Sequence, residues 1–343
     1  MLALRKKSPV IEIARIAGVS KAAAYATLNP ETSGNIGIAE DTRKRILDAA
    51  AQIGYVRNEL ASSLVTGRSR TIGVCVQSLH NHFFGNFSSI LDTLAYADGY
   101  SMMIASSEYD GERELRNLRN FAAKRADAIV VAYSDCKKVG ACLPELASSG
   151  VRVLTIGNVR FEGSPSICFD EAAAALIQAQ HLFDSGHRKA VHLNAACAKD
   201  LTQHIHKQRR DNFLGAWSRI SGFDARSIEA SNSSYPDPAA VSEIIARFKA
   251  GELDSVACAA DTLAMGLISS LCVCGIKVPE DIAVIGLDDL DSSASFFVPL
   301  TTVRLPTDKL AEEIWGALKK LLSGESFEAH ITVNPELVIR KST

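Results

Sequence analysis

Residues 11–29 read Ile11-Glu12-Ile13-Ala14-Arg15-Ile16-Ala17-Gly18-Val19-Ser20-Lys21-Ala22-Ala23-Ala24-Tyr25-Ala26-Thr27-Leu28-Asn29, and this spacing describes two short helices crossing at a tight turn. Ala14 is small enough to let the helices approach. Gly18 supplies the turn after the first helix, since a residue without Cβ enters the left-handed region at no steric cost. Val19 points inward, and Ser20 caps the second helix by accepting from an early backbone N–H. Ala24 and Leu28, one turn apart, face the same side. This is helix-turn-helix arithmetic, in which residues 20–29 would enter the major groove of DNA. An ordinary helical hairpin shows the same local spacing, so the flanking sequence must decide between them.

Downstream, residues 40–55 predict a third helix, with Glu40 and Asp41 in its first turn and Gly54 as its stop. Ile46, Ala50 and Ile53 fall on one face of it. Residues 1–70 hold 11 Lys and Arg against 6 Asp and Glu, a net charge of +5 inside a chain of net charge −2. A basic head on an acidic body suits a nucleic-acid-binding module attached to a sensor.

Beyond Thr71 the pattern changes. Apolar strand-like runs at 72–76, 101–105, 128–132, 151–156, 190–193, 255–259 and 283–287 alternate with helical stretches at 112–124, 171–185, 238–250 and 262–274. Such alternation predicts parallel sheets wound on both faces, with ligands bound outside the carboxyl ends of the strands. Roughly 270 residues of it exceed one typical sheet, so two lobes flanking a cleft are expected.

The eight cysteines, at 75, 136, 142, 168, 197, 258, 272 and 274, form no Cys-x-x-Cys pair. They read mainly as buried reduced thiols, and neither a metal nor another cofactor is expected. His204 and His206, two apart on a helix, point to different faces. The basic start at Arg5, Lys6 and Lys7 has no apolar stretch behind it, and no run is long enough to span a bilayer. A cytoplasmic protein without membrane partners is expected.

The ordered motifs Ile-Ala-x-x-Ala-Gly-Val-Ser (13–20), Thr-Arg-x-x-Ile (42–46), Gly-Tyr-x-x-Asn (54–58), Leu-x-Thr-Gly-x-Ser (64–69) and Thr-Ile-Gly-Val (71–74) resemble the lac-repressor family. So do Gly186-His187-Arg188, the run Val278-Pro279-Glu280-Asp281-Ile282 through Asp289, and the closing Pro335-Glu336-Leu337-Val338-Ile339-Arg340. The resemblance runs from about Val10 onward.

It implies an all-α helix-turn-helix headpiece at 1–56, a hinge helix and linker at 57–70, and a periplasmic-binding-protein-like α/β core of two doubly wound parallel-sheet lobes at 71–343. It implies double-stranded operator DNA, a sugar-like effector and a homodimer as partners. Ser20, Lys21, Ala22, Tyr25, Ala26 and Asn29 would face DNA from the recognition helix. Asn58, Ala61 and Leu64 would do so from the hinge, with Leu64 wedged into the minor groove.

The dimer face is expected from helices near 83–98 and strands near 255–290. A sequence that stops three residues after its last strand-like motif leaves no leucine-heptad tail, so a dimer is expected and not a tetramer.

Several positions depart from the family pattern. Ala24-Tyr25-Ala26 stands where Val-Ser-Arg is usual, which leaves Lys21 as the strong donor near the start of the recognition helix. The connection at 30–37 is about four residues longer than usual. Ala39 replaces a capping Ser, at a cost of ~1 kcal/mol. Arg57 replaces the proline before the hinge asparagine.

For the cleft, the resemblance nominates His82, Phe83, Phe84, Arg209, Asp261 and Asp288, with aromatic faces for a ring and fork-shaped charges for hydroxyls. Arg209 and Asp288 lead that set, while Asp261 could equally cap a helix or turn. Ala260 lacks the amide that many members aim at the effector. His80, His82 and Arg209 make the site basic and favour a sugar acid or sugar phosphate, and residues 231–235 resemble the gluconate-repressor branch. Two rival readings are a free-standing solute-binding protein and an α/β enzyme. No Gly-x-Gly-x-x-Gly, P-loop or Gly-x-Ser-x-Gly motif supports the enzyme.

Overall fold

The computed structural model describes residues 8–29, 37–56, 67–195, 205–231, 235–325 and 329–343. The chain divides into two compact units, Met1–Arg70 and Thr71–Thr343.

The first unit holds α1 (Pro9–Ala17), α2 (Lys21–Leu28) and α3 (Glu40–Gln52). Gly18 ends α1 at φ 64°, and the Val19 N–H donates to the Ala14 carbonyl at 2.9 Å. Ser20 caps α2 by accepting from the Ala23 N–H at 3.1 Å. Ala39 offers α3 no side-chain cap. The three helices close on Ile13, Ala14, Ala17, Ala24, Ile46, Ala49 and Ala50, with Val19, Leu28 and Tyr55 packed at the edge. Alanines let helices approach closely, and the two buried isoleucines supply most of the apolar area, ~1.5–3 kcal/mol each. Ile53 departs from expectation and is exposed. It follows the last helical residue, with φ −95° and ψ 6°, so helical periodicity no longer governs where its side chain points.

The second unit carries two six-stranded sheets. Strands β1 (Thr71–Val76), β2 (Ser101–Ser106), β3 (Ala128–Ala132), β4 (Arg152–Ile156), β5 (Ser166–Phe169) and β11 (His330–Val333) build the first lobe in the order β11-β5-β4-β3-β1-β2, all parallel. Strands β6 (Ala190–Ala195), β7 (Arg226–Ala230), β8 (Ser255–Cys258), β9 (Ala283–Asp288), β10 (Thr301–Arg304) and β12 (Glu336–Val338) build the second, in the order β12-β10-β9-β8-β6-β7. There β12 alone runs antiparallel, against β10.

Between the strands lie α4 (His82–Ala97), α5 (Gly111–Ala123), α6 (Cys136–Ser148), α7 (Glu171–Asp184), α8 (Ile205–Ser221), α9 (Pro238–Lys249), α10 (Asp261–Val273), α11 (Asp291–Ser295) and α12 (Thr307–Ser323). The chain passes between lobes three times, from β5 to α7, from β10 to α12 and from β11 to β12.

Strands β5, β7, β10 and β11 are not among the strand-like runs of the sequence because each is short or polar, as in Arg226-Ser227-Ile228-Glu229-Ala230, whereas β12 falls in the closing strand-like motif. Strands β8 and β9 lie inside their sheet and are buried along nearly their whole length. They expose no apolar surface of the kind expected for a dimer face. Within 83–98 and 255–290, the exposed large apolar side chains among the described residues are Tyr96 at the end of α4 and Val273 at the end of α10. Cys272 and Cys274 flank Val273 and are exposed too, whereas Cys75, Cys142, Cys168 and Cys258 are buried. Among the described residues no helix is long and apolar enough to cross a membrane, and no His, Cys, Asp and Glu cluster could hold a metal ion.

Candidate ligand cleft and nucleic-acid interface

In the helical unit, the exposed face of α2 consists of Ser20, Lys21, Ala22 and Tyr25. Of the residues nominated for DNA, Ala26 is buried, and the Asn29 side-chain amide donates back to the Tyr25 carbonyl at 3.1 Å. The structure does not bring these two onto that face. Arg43, Lys44 and Arg45 stand exposed at the start of α3. Asn58, Ala61 and Leu64 lie outside the described residues, as do Cys197, His204 and most of the 30–37 connection.

In the larger unit a cavity of about 410 Å³ opens at the carboxyl ends of the strands, where open parallel sheets bind ligands. The first lobe contributes the loop after β1 and the start of α4. Asn81 caps α4 by accepting from the Phe83 N–H at 3.0 Å, which fixes the rings of Phe83 and Phe84 at the helix entrance. Phe83 meets Phe84 edge-on at 5.1 Å and Phe169 edge-on at 5.8 Å. His80 and His82 stand on the rim.

The second lobe supplies the charges. Arg209 projects from α8, donates from Nε to Glu171 Oε2 at 2.9 Å and from Nη2 to Oε1 at 3.2 Å, and donates from Nη1 to the Ala259 carbonyl at 2.8 Å. Its Nη2 lies 3.9 Å from Asp288 Oδ1. Burial opposes the charge on Arg209, but Glu171 and Asp288 outweigh it and hold the guanidinium more firmly protonated than usual. Burial pushes Asp288 up to about 8 despite Arg209 nearby, with Asp261 and Glu171 adding to the rise.

Asp288 ends β9 at φ 119°, followed by Asp289 at φ 57°. Two consecutive non-glycine residues in the left-handed half of the backbone map store strain of ~1–3 kcal/mol each, and surrounding contacts must hold it. Asp289 receives Arg304 Nε at 2.7 Å and Arg340 Nη2 at 2.6 Å.

The structure therefore brings His82, Phe83, Phe84, Arg209 and Asp288 around one cavity, and leaves Asp261 out of it. Asp261 is fully buried and accepts from Thr302 Oγ1 at 2.6 Å, from Ser293 Oγ at 2.5 Å and from the Leu290 N–H at 2.9 Å. Burial raises it to about 6 against those hydrogen bonds. It pins α11 and β10 beneath the cleft. The sequence reading missed Glu171, Tyr109, Tyr133 and Asn158, all of which line the cavity. Nothing in the sequence marks Glu171 except its place in the first turn of a helix, where acids are common.

Residues 179–343 match a periplasmic binding protein-like domain. The chain is 28% identical over 335 residues to the HTH-type transcriptional repressor PurR of Mannheimia succiniciproducens, covering 96% of this chain and 97% of that one. It is 26% identical over 344 residues to the repressor of the same name in Aliivibrio fischeri, again covering 96% and 97%. Among solved structures it is similar to the lac repressor dimer bound to operator and the anti-inducer ONPF, with a TM-score of 0.81, 21% identity and 98% and 99% of the two chains covered. A Lacl family transcriptional regulator from Silicibacter pomeroyi gives a TM-score of 0.78 at 20% identity, with 97% and 98% covered.

Proposed function

We propose that this chain is a transcriptional regulator of the lac-repressor family, a cytoplasmic, homodimeric repressor whose grip on operator DNA is set by a small effector in the cleft. Its action is regulatory rather than catalytic. The observation that carries the reading is the strand-end cavity that joins Phe83 and Phe84 of one lobe to Arg209 and Asp288 of the other, in a chain that also carries the Ser20-capped α2.

DNA affinity is assigned to residues 1–66. Ser20, Lys21, Ala22 and Tyr25 face the major groove, and Asn58, Ala61 and Leu64 act from the hinge. An effector in the cleft alters DNA affinity by favouring one arrangement of the lobes over another. Strand β1 of the first lobe follows the hinge segment in the chain, so a lobe rotation changes the spacing between the two hinge copies of a dimer. When the copies part, both Leu64 side chains cannot enter the minor groove together.

A gel shift of the full chain with total genomic fragments tests the reading. Retention of a small set of fragments at physiological salt is the expected result, and uniform binding or none would refute it. A solute-binding protein or an enzyme on this scaffold would retain no fragments.

A further inference from the structure

The charge of the cleft turns on Glu171, the first residue of α7, placed where the chain crosses from β5 into the second lobe. Arg209 is the one Lys or Arg among the described residues that line the cavity. A sugar acid or a phosphate would engage it through two parallel N–H donors on one edge of the guanidinium. That edge, Nε with Nη2, is already held by both oxygens of Glu171. The third nitrogen is tied to the Ala259 carbonyl. Glu171 and Arg209 are themselves nearly excluded from water, at 6% and 13% side-chain exposure.

An anion arriving here has two routes, and both are unfavourable. Displacing Glu171 strands a buried carboxylate away from its cation. Leaving Glu171 in place sets the anion beside that carboxylate, with the single positive charge of Arg209 shared between the two. An uncharged hydroxyl meets neither obstacle. It can accept from the second hydrogen of Nη1 or Nη2 and donate to Asp288, while the rings of Phe83 and Phe169 supply the flat apolar surface that a sugar face requires.

We propose that Glu171 is a built-in counter-ion that makes the cleft select an uncharged, polyhydroxylated ring effector and reject sugar acids and sugar phosphates. The proposal rests on the reading of the cleft as the effector site, and it replaces the expectation of a basic pocket suited to an acid.

Calorimetry of the full chain with matched pairs tests it: D-glucose with D-gluconate, D-galactose with D-galactonate, and D-ribose with D-ribose 5-phosphate. The wild-type chain should bind the neutral member of at least one pair tenfold or more tighter than its anion. Glu171→Gln, which keeps the size and removes the charge, should narrow that ratio at least tenfold. Glu171→Asp, which keeps the charge, should preserve the preference.

Equal or tighter binding of the anion by the wild-type chain, an unchanged ratio in Glu171→Gln, or no uptake of any neutral member would overturn the proposal. The wild-type comparison needs no variant, so a Glu171→Gln chain that fails to fold leaves the test standing. The genomic gel shift separates the two levels. Retained fragments with a failed preference refute the counter-ion alone, and lost DNA binding with a clear preference refutes the regulator reading alone.

Discussion

Arg340 Nη2 donates to Asp289 Oδ1 at 2.6 Å, which ties the segment after β12 to the residue next to cleft-facing Asp288. The same guanidinium donates from Nη1 to the Leu300 carbonyl at 2.8 Å. Arg304 holds the other oxygen of Asp289 and also reaches Glu336 at 3.7 Å. The positive-φ turn at 288–289 is thus clamped from β10, from β12 and from the segment beyond it. Arg340→Met should loosen the turn at a cost of ~1–3 kcal/mol, because Asp289 keeps only Arg304. Thermal melts should show the loss, and calorimetry should show weakened effector binding; a variant with wild-type affinity would show that the turn needs no clamp.

Asp261 supports the cleft from below, so its removal should act on stability and not on ligand choice. Asp261→Ala leaves two hydroxyls and one N–H beneath the cleft without their acceptor, and ~2–4 kcal/mol should be lost. The ranking of ligands should stay that of the wild type. A changed ranking in a still-folded variant would return Asp261 to the binding site.

Asp288 should give stability a pH signature. Its folded value is raised to about 8, against roughly 4 in the unfolded chain. The native state therefore holds a proton that the unfolded state releases. The stabilisation is complete below about pH 4 and is lost as pH rises through about 8. Asp288→Asn removes this term, so its melting temperature should climb relative to wild type between pH 5 and pH 8.5. Glu114, raised to about 7 by burial, titrates in both proteins and cancels in the difference. Parallel curves would show that Asp288 is ionised throughout.

Lys21 is the long cation on the exposed face of α2. Lys21→Ala should weaken binding to a retained genomic fragment by ~1–3 kcal/mol more than binding to random DNA if the ammonium contacts a base edge. Equal losses on both DNAs would make it a phosphate contact instead.

Two classes of variant should separate sensing from grip. Arg209→Ala or Asp288→Ala should abolish the response of DNA binding to effector while basal DNA binding survives. Leu64→Ser should weaken DNA binding while calorimetry still records normal effector uptake. If Asp288→Ala retained full effector affinity, the cleft would be the wrong site.

The helical head, the paired α/β lobes and the strand-end location of the cleft were legible in the sequence, because each rests on periodicity and local turn chemistry. Gly18 and Ser20 announce the turn and the cap within a few residues of one another. Phe83, Phe84, Arg209 and Asp288 were found by their place in ordered motifs. What the tertiary structure alone decided is which of these groups meet. Asp261 and Asp288 look alike along the chain, yet one is closed in by Thr302, Ser293 and the Leu290 N–H while the other faces the cavity. Ala26 lies in α2 and Asn29 caps its end, but helix packing and a backbone bond turn them away from its exposed face. Glu171 and Arg209 are 38 positions apart, on two helices that neither motif nor periodicity pairs. Local patterns set the elements; the charge of a cavity depends on side chains brought together across them, and only the packing of α7 against α8 places that carboxylate on that guanidinium.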